Sequence, residues 1–115
     1  MSKHDEVLGK WYEDLQRIFS NGCAKRNYIL GSKKRRKGEI DIRVDLDDEV
    51  LVFEVKTSFR DIYHFKTHGG AIAQLLKIER YLRNVEHEKN IEKYIIVNDP
   101  RNEDADDEVI YYLMD

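Results

Sequence analysis

The sequence predicts one α/β domain spanning residues 1–115, a mixed β-sheet flanked by helices in the order α-β-β-β-α-β-β. Three observations lead there. Apolar residues recur at helical spacing near the N-terminus and again after Gly70. Between them, the stretch Gly38 to Ser58 reads as two short strands around a tight acidic turn. The length, 115 residues, suffices for a single core but not for a separate recognition module.

The first helix is expected from about Lys3 to Phe19, with Val7, Leu8, Trp11, Leu15, Ile18 and Phe19 on one face. Ser2 or Asp5 can cap its start, and Ser20-Asn21-Gly22 stops it. Cys23 to Leu30 gives a first strand before a Gly-Ser turn. A basic run, Lys33, Lys34, Arg35, Arg36 and Lys37, then fills the loop that enters the next strand. Lysine and arginine in such a run neutralise phosphate charge without reading base sequence, so the loop is a candidate for positioning a nucleic-acid backbone; a solvated loop is the plainer alternative.

In the central stretch, Ile40, Ile42 and Val44 alternate with Asp41 and Arg43, and Val50 to Val55 is apolar and β-branched. A turn centred on Asp47 and Asp48 pairs Val44 with Leu51 and Ile42 with Phe53, which sets Asp41 across from Glu54. Glu54 and Lys56 share one face, opposite Leu51, Phe53 and Val55. Facing carboxylates repel and are costly to bury, so this pair calls for a cation.

Beyond Lys56, residues 57–68 are polar with Phe59, Tyr63 and Phe65 among them. Ser58, Arg60 and Lys66 are candidate nucleic-acid contacts, and His64 and His68 stand four apart, a helical metal-ligand spacing that nothing else in the sequence supports. Gly69-Gly70 opens a second helix, about Ala71 to Val85, with Ile72, Leu75, Ile78 and Leu82 inward. Tyr94 to Val97 reads as a strand reached by a helical crossover, Asn98-Asp99-Pro100 ends it, and Val109 to Met114 is the last strand. The apolar run Ile110 to Met114 near a sheet edge suggests a homodimer.

Gly38-Glu39-Ile40-Asp41-Ile42 followed by Val52-Phe53-Glu54-Val55-Lys56 resembles the signature of the PD-(D/E)XK nuclease superfamily, which includes archaeal Holliday junction resolvases and restriction enzymes. The resemblance implies a restriction endonuclease-like core and a Mg2+ or Mn2+ site at Asp41 and Glu54, with the Val55 carbonyl as a further ligand and Lys56 beside the attacking water. It also implies a third acid on the first helix. Gly9-Lys10-Trp11-Tyr12-Glu13 matches that spacing, although Glu13 falls nearly opposite the Trp11 and Leu15 face, as an ordinary exposed glutamate does; Glu6 is the other choice. Ala73-Gln74-Leu75-Leu76 resembles the glutamine-bearing helix of several subfamilies, which puts Gln74 near the metal; where those carry tyrosine four residues later, this chain has Ile78.

The activity so implied is metal-dependent phosphodiester hydrolysis, by a DNA endonuclease; cleavage at an end, a structure-specific, junction resolvase-like action and RNA as substrate are left open. A formal charge of -3 accommodates a nucleic-acid partner only because the acids and bases are segregated along the chain. One cysteine, Cys23, excludes an internal disulfide and a cysteine-based zinc site and suits a reducing, cytoplasmic setting, the host cytoplasm for a viral protein. No signal peptide or membrane span is expected. The alternative from another class is a non-catalytic nucleic-acid-binding or assembly protein with the same fold and basic loop.

Overall fold

The computed structural model describes residues 2–32, 34–62, 70–99 and 107–111. The elements follow the predicted order: α1 (Lys3–Ile18), β1 (Cys23–Gly31), β2 (Arg36–Asp45), β3 (Val50–Lys56), a 3-10 turn at Phe59–Ile62, α2 (Ala71–Asn84), β4 (Ile91–Val97) and β5 (Glu108–Tyr111). One five-stranded mixed sheet holds them in the order β1-β2-β3-β4-β5. Neighbours are antiparallel except β3 and β4, which are parallel and joined through α2. No helix among the described residues is long and apolar enough to cross a membrane.

Both faces of β3 are covered. Val50 and Val52 pack with Leu75, Ile78 and Leu82 of α2, while Leu51, Phe53 and Val55 pack with Val7, Leu8 and Leu15 of α1. Alternation along one strand thus feeds two cores on opposite sides of the sheet. Ser2 caps α1 by accepting from the Asp5 N–H at 3.2 Å, and Ile18 at its far end is exposed rather than part of the inward face. α2 is held against β4 by buried Lys93, which bonds Glu79, itself bridged to Arg83. That pair explains why β4 begins at Ile91, earlier than the apolar run alone suggests: a lysine can occupy an inward position once a carboxylate meets it.

The β2–β3 turn is the expected one. Leu46 donates to the Glu49 carbonyl at 2.9 Å, and the ladder runs Asp45↔Val50, Val44↔Leu51, Arg43↔Val52, Ile42↔Phe53. There it stops. β2 continues beside β1 as far as Arg36, whereas β3 continues beside β4 as far as Lys56, so the sheet forks beyond Ile42 and Phe53.

One inward assignment differs from the alternation. Ile40 packs in the α2 core, whereas Ile42 and Val44 pack in the α1 core. The β1–β2 register is the same on both sides of Asn27 and Asp41, Arg26↔Ile42 and Tyr28↔Ile40, but these two residues do not pair, and Asn27 has φ 50°. This local break in the pleat rotates the strand end, turning Ile40 to the other face.

Candidate active site

The fork leaves a structural problem that Asp41 solves. Val55 lies on the strand edge that faced β2, and in a continued ladder its N–H would have met the Ile40 carbonyl. Instead the side chain of Asp41 reaches across, its Oδ2 accepting from the Val55 N–H at 2.9 Å. A carboxylate therefore closes the ladder at the point where the strands part. The Val55 carbonyl lies along that same strand edge, since N–H and C=O of one residue point the same way.

A cleft of about 340 Å³ opens at the fork, lined by His4, Gly38, Glu39, Asp41, Glu54, Lys56, Gln74, Lys77 and Ile78. Glu54 is 2% exposed. Burial pushes its carboxyl well above the ordinary carboxylate range, the negative charge of Asp41 pushes it further, and Lys56 only partly opposes them. Lys56 Nζ stands 3.6 Å from Glu54 Oε2. From α2, Gln74 directs into this region a buried Oε1 with no hydrogen-bond partner among the described residues.

The sequence-predicted residues divide accordingly. Asp41, Glu54, Lys56 and Gln74 line one cleft, and the Val55 backbone borders it. Glu13 is exposed on α1 and is not among the lining residues. The α1 residue at the cleft is His4, about two and a half turns earlier, whose Nε2 lies 3.3 Å from Asp41 Oδ2. That bond raises the imidazole above its ordinary value despite partial burial, which acts the other way. A signal for His4 is in the sequence: it stands three and four residues before Val7 and Leu8, on the buried stripe of the helix. Glu6, like Glu13, is exposed.

Lys34, Arg35, Arg36 and Lys37 are exposed around the tip of the β1–β2 hairpin. Gly31 makes the turn possible: its φ is 88°, and a Cβ there would meet the Arg35 carbonyl oxygen at 2.5 Å. Leu30 pairs with Gly38 and Gly31 with Arg36, leaving Lys37 as the extra residue of a bulge. Arg60 is exposed just beyond β3, and Ser58 accepts from its N–H at 3.3 Å. Lys33, Lys66, Tyr63, Phe65, His64 and His68 lie outside the described residues, as do residues 112–114 of the expected last strand.

Among the described residues no three His, Cys, Asp or Glu side chains group closely enough to form a metal site by themselves. What the cleft offers is an oxygen set: the acids Asp41 and Glu54, with Glu39 also on its lining, an unpaired amide oxygen and a strand-edge carbonyl. Oxygen donors of this kind suit hard divalent cations, which retain several waters and need few protein ligands. No protein-family model matches the chain, and comparison with curated proteins finds no match.

Proposed function

We propose that this chain is a metal-dependent nuclease, a DNA endonuclease built on the PD-(D/E)XK plan. The observation that carries the reading is the forced proximity of Asp41 and buried Glu54 beside Lys56, an arrangement that burial and mutual repulsion disfavour unless a cation joins it. The orphaned Gln74 Oε1 supports the same fit. Asp41, Glu54, the Val55 carbonyl and Gln74 are the groups that would hold Mg2+ or Mn2+. When bound, such an ion supplies Lewis acidity to a phosphodiester and lowers the pKa of water.

The chain's own groups supply the rest. Lys56 donates to the incoming water and to the non-bridging oxygen on which charge gathers as the phosphorus is attacked. Burial strengthens both contacts by excluding competing solvent. The cationic hairpin tip, Lys34 to Lys37, and Arg60 neutralise flanking phosphates and set the substrate's position. Pairing a second copy along β5, an edge of the sheet, would present two clefts to the two strands of a branched substrate. Light scattering at micromolar concentration tests that assembly, and a monomer both free and on a four-way junction removes it. An exposed free thiol, Cys23, fits a reducing interior such as the cytoplasm.

The test of the chemistry is cleavage of a labelled panel: single-stranded, duplex, flap and four-way DNA, with RNA as comparison. Cleavage should require Mg2+ or Mn2+, stop with EDTA, and fall by about 100-fold or more in Asp41→Asn, Glu54→Gln and Lys56→Met. Full activity in Asp41→Asn refutes the site. Binding across the panel without cleavage identifies a non-catalytic nucleic-acid-binding protein instead.

A further inference from the structure

The cleft does not end at Lys77. A second groove lies beside it, lined by Lys37 from the hairpin bulge and by Lys77, Arg80, Tyr81, Asn84 and Val85 from α2, so Lys77 borders both depressions. Lys77, Arg80 and Asn84 recur at spacings of three and four and form one exposed stripe of the helix. The opposite side of α2 is committed to the core through Leu75, Ile78 and Leu82.

Several cations of the sheet and of α2 already have carboxylate partners. Arg43 is paired with Asp45 and Glu86, Lys25 with Asp45, Arg83 with Glu79 and Lys93 with Glu79. For Lys37, Lys77 and Arg80, by contrast, no carboxylate of the described residues lies within ion-pair distance. Three cations on two elements, facing one groove without counter-charges of their own, match a chain of phosphates.

We infer that this groove is a backbone-binding track for the nucleic-acid strand, carrying the phosphates next to the one held at Asp41 and Glu54. The inference rests on the nuclease reading for its substrate but on separate residues for its evidence. Phosphate spacing along a strand suits a helix stripe continued by a strand bulge, and contacts of this type position the strand without selecting its sequence. Tyr81 and Val85 form the apolar floor over which the sugars pass.

The experiment is fluorescence anisotropy with labelled DNA in EDTA, over a series of salt concentrations, comparing the wild type with Lys77→Ala/Arg80→Ala and with Arg83→Ala. Thermal melts establish that each variant is folded. The double variant should bind about tenfold or more weakly at moderate salt, on unrelated sequences alike, with a log–log salt slope shallower by about 2. Arg83→Ala, whose cation is already paired with Glu79, should bind as the wild type does. An unchanged slope in the double variant overturns the track. Parallel cleavage assays separate this from the reading beneath it. Metal-dependent cleavage with an unchanged slope leaves the nuclease and removes the track, whereas a shallower slope without cleavage keeps the track on a protein that only binds.

Discussion

Asp41 holds the backbone of Val55 across the fork of the sheet, its Oδ2 accepting the N–H at 2.9 Å. A proposed catalytic acid is thus also a structural one. Asp41→Ala leaves a buried N–H without its partner and should lower unfolding free energy by about 1–3 kcal/mol in urea titrations without metal. Asp41→Asn keeps an acceptor oxygen and should lose less than half as much. Equal losses in the two variants would mean that the bond to Val55 contributes nothing.

Glu54 predicts a pH dependence of the opposite sign to a carboxylate held by ion pairs or hydrogen bonds. Its folded pKa is raised, chiefly by burial and then by Asp41. Protonated Glu54 is therefore favoured in the fold, and metal-free stability should fall as pH rises from the ordinary value of 4.5 through the raised folded value. Glu54→Gln should remove this slope and melt about 4 °C higher at neutral pH, on the order of 1 kcal/mol, with the two proteins converging in acid. Differential scanning calorimetry in EDTA at several pH values measures both.

His4 carries a linkage of the same sign, beginning at its own higher ordinary value. Its bond to Asp41 raises its pKa above the ordinary 6.5, so the stability it contributes is complete below the unfolded value and lost as pH rises through the folded one. Proton NMR of the imidazole in metal-free protein should give a midpoint above 6.5 and a lower one in Asp41→Asn. An identical midpoint in that variant removes the contact.

Gln74 exposes a trade between stability and binding. Because its Oε1 is buried without a partner among the described residues, Gln74→Leu should stabilise metal-free protein by about 1 kcal/mol in chemical denaturation. The same change should weaken Mn2+ binding in calorimetric titration. A gain in stability with unaltered Mn2+ affinity would exclude Gln74 as a ligand.

Much of this geometry was written in short-range pattern. The alternation around Asp47 and Asp48 set the ladder as far as Ile42↔Phe53, because a one-residue slip would have mixed the apolar positions of β2 with its charged ones. It also put Glu54 and Lys56 together, but the expected pairing of Asp41 with Glu54 is not made: the ladder ends at Ile42↔Phe53, and the two acids share only the cleft at the fork. The pattern did not reveal the break at Asn27 and Asp41: hydrophobicity is the same whether Ile40 faces one core or the other, and only the partner strand's backbone decides. Spacing from a glycine likewise could not choose between Glu13 and His4. Which end of a helix meets the cleft depends on how the helix lies across the sheet, a relation fixed by Val7, Leu8 and Leu15 against Phe53 and Val55. Contacts such as Trp11 Nε1 to Asp107, 2.5 Å apart, join residues far separated in sequence and leave no local trace.

The parallel pairing of β3 with β4 also orders events in time. β2 and β3 meet through a tight turn, so Asp41 and Glu54 can come together early in folding, while both remain hydrated. β4 can join only after the long connection through α2 has closed, and α2 then covers the face that Glu54 shares with Val52. We therefore expect the charge of Glu54 to leave water late, after the main barrier has been crossed. A substitution that relieves it should leave the refolding rate nearly unchanged and slow unfolding instead, lengthening the lifetime of the native chain without hastening its formation.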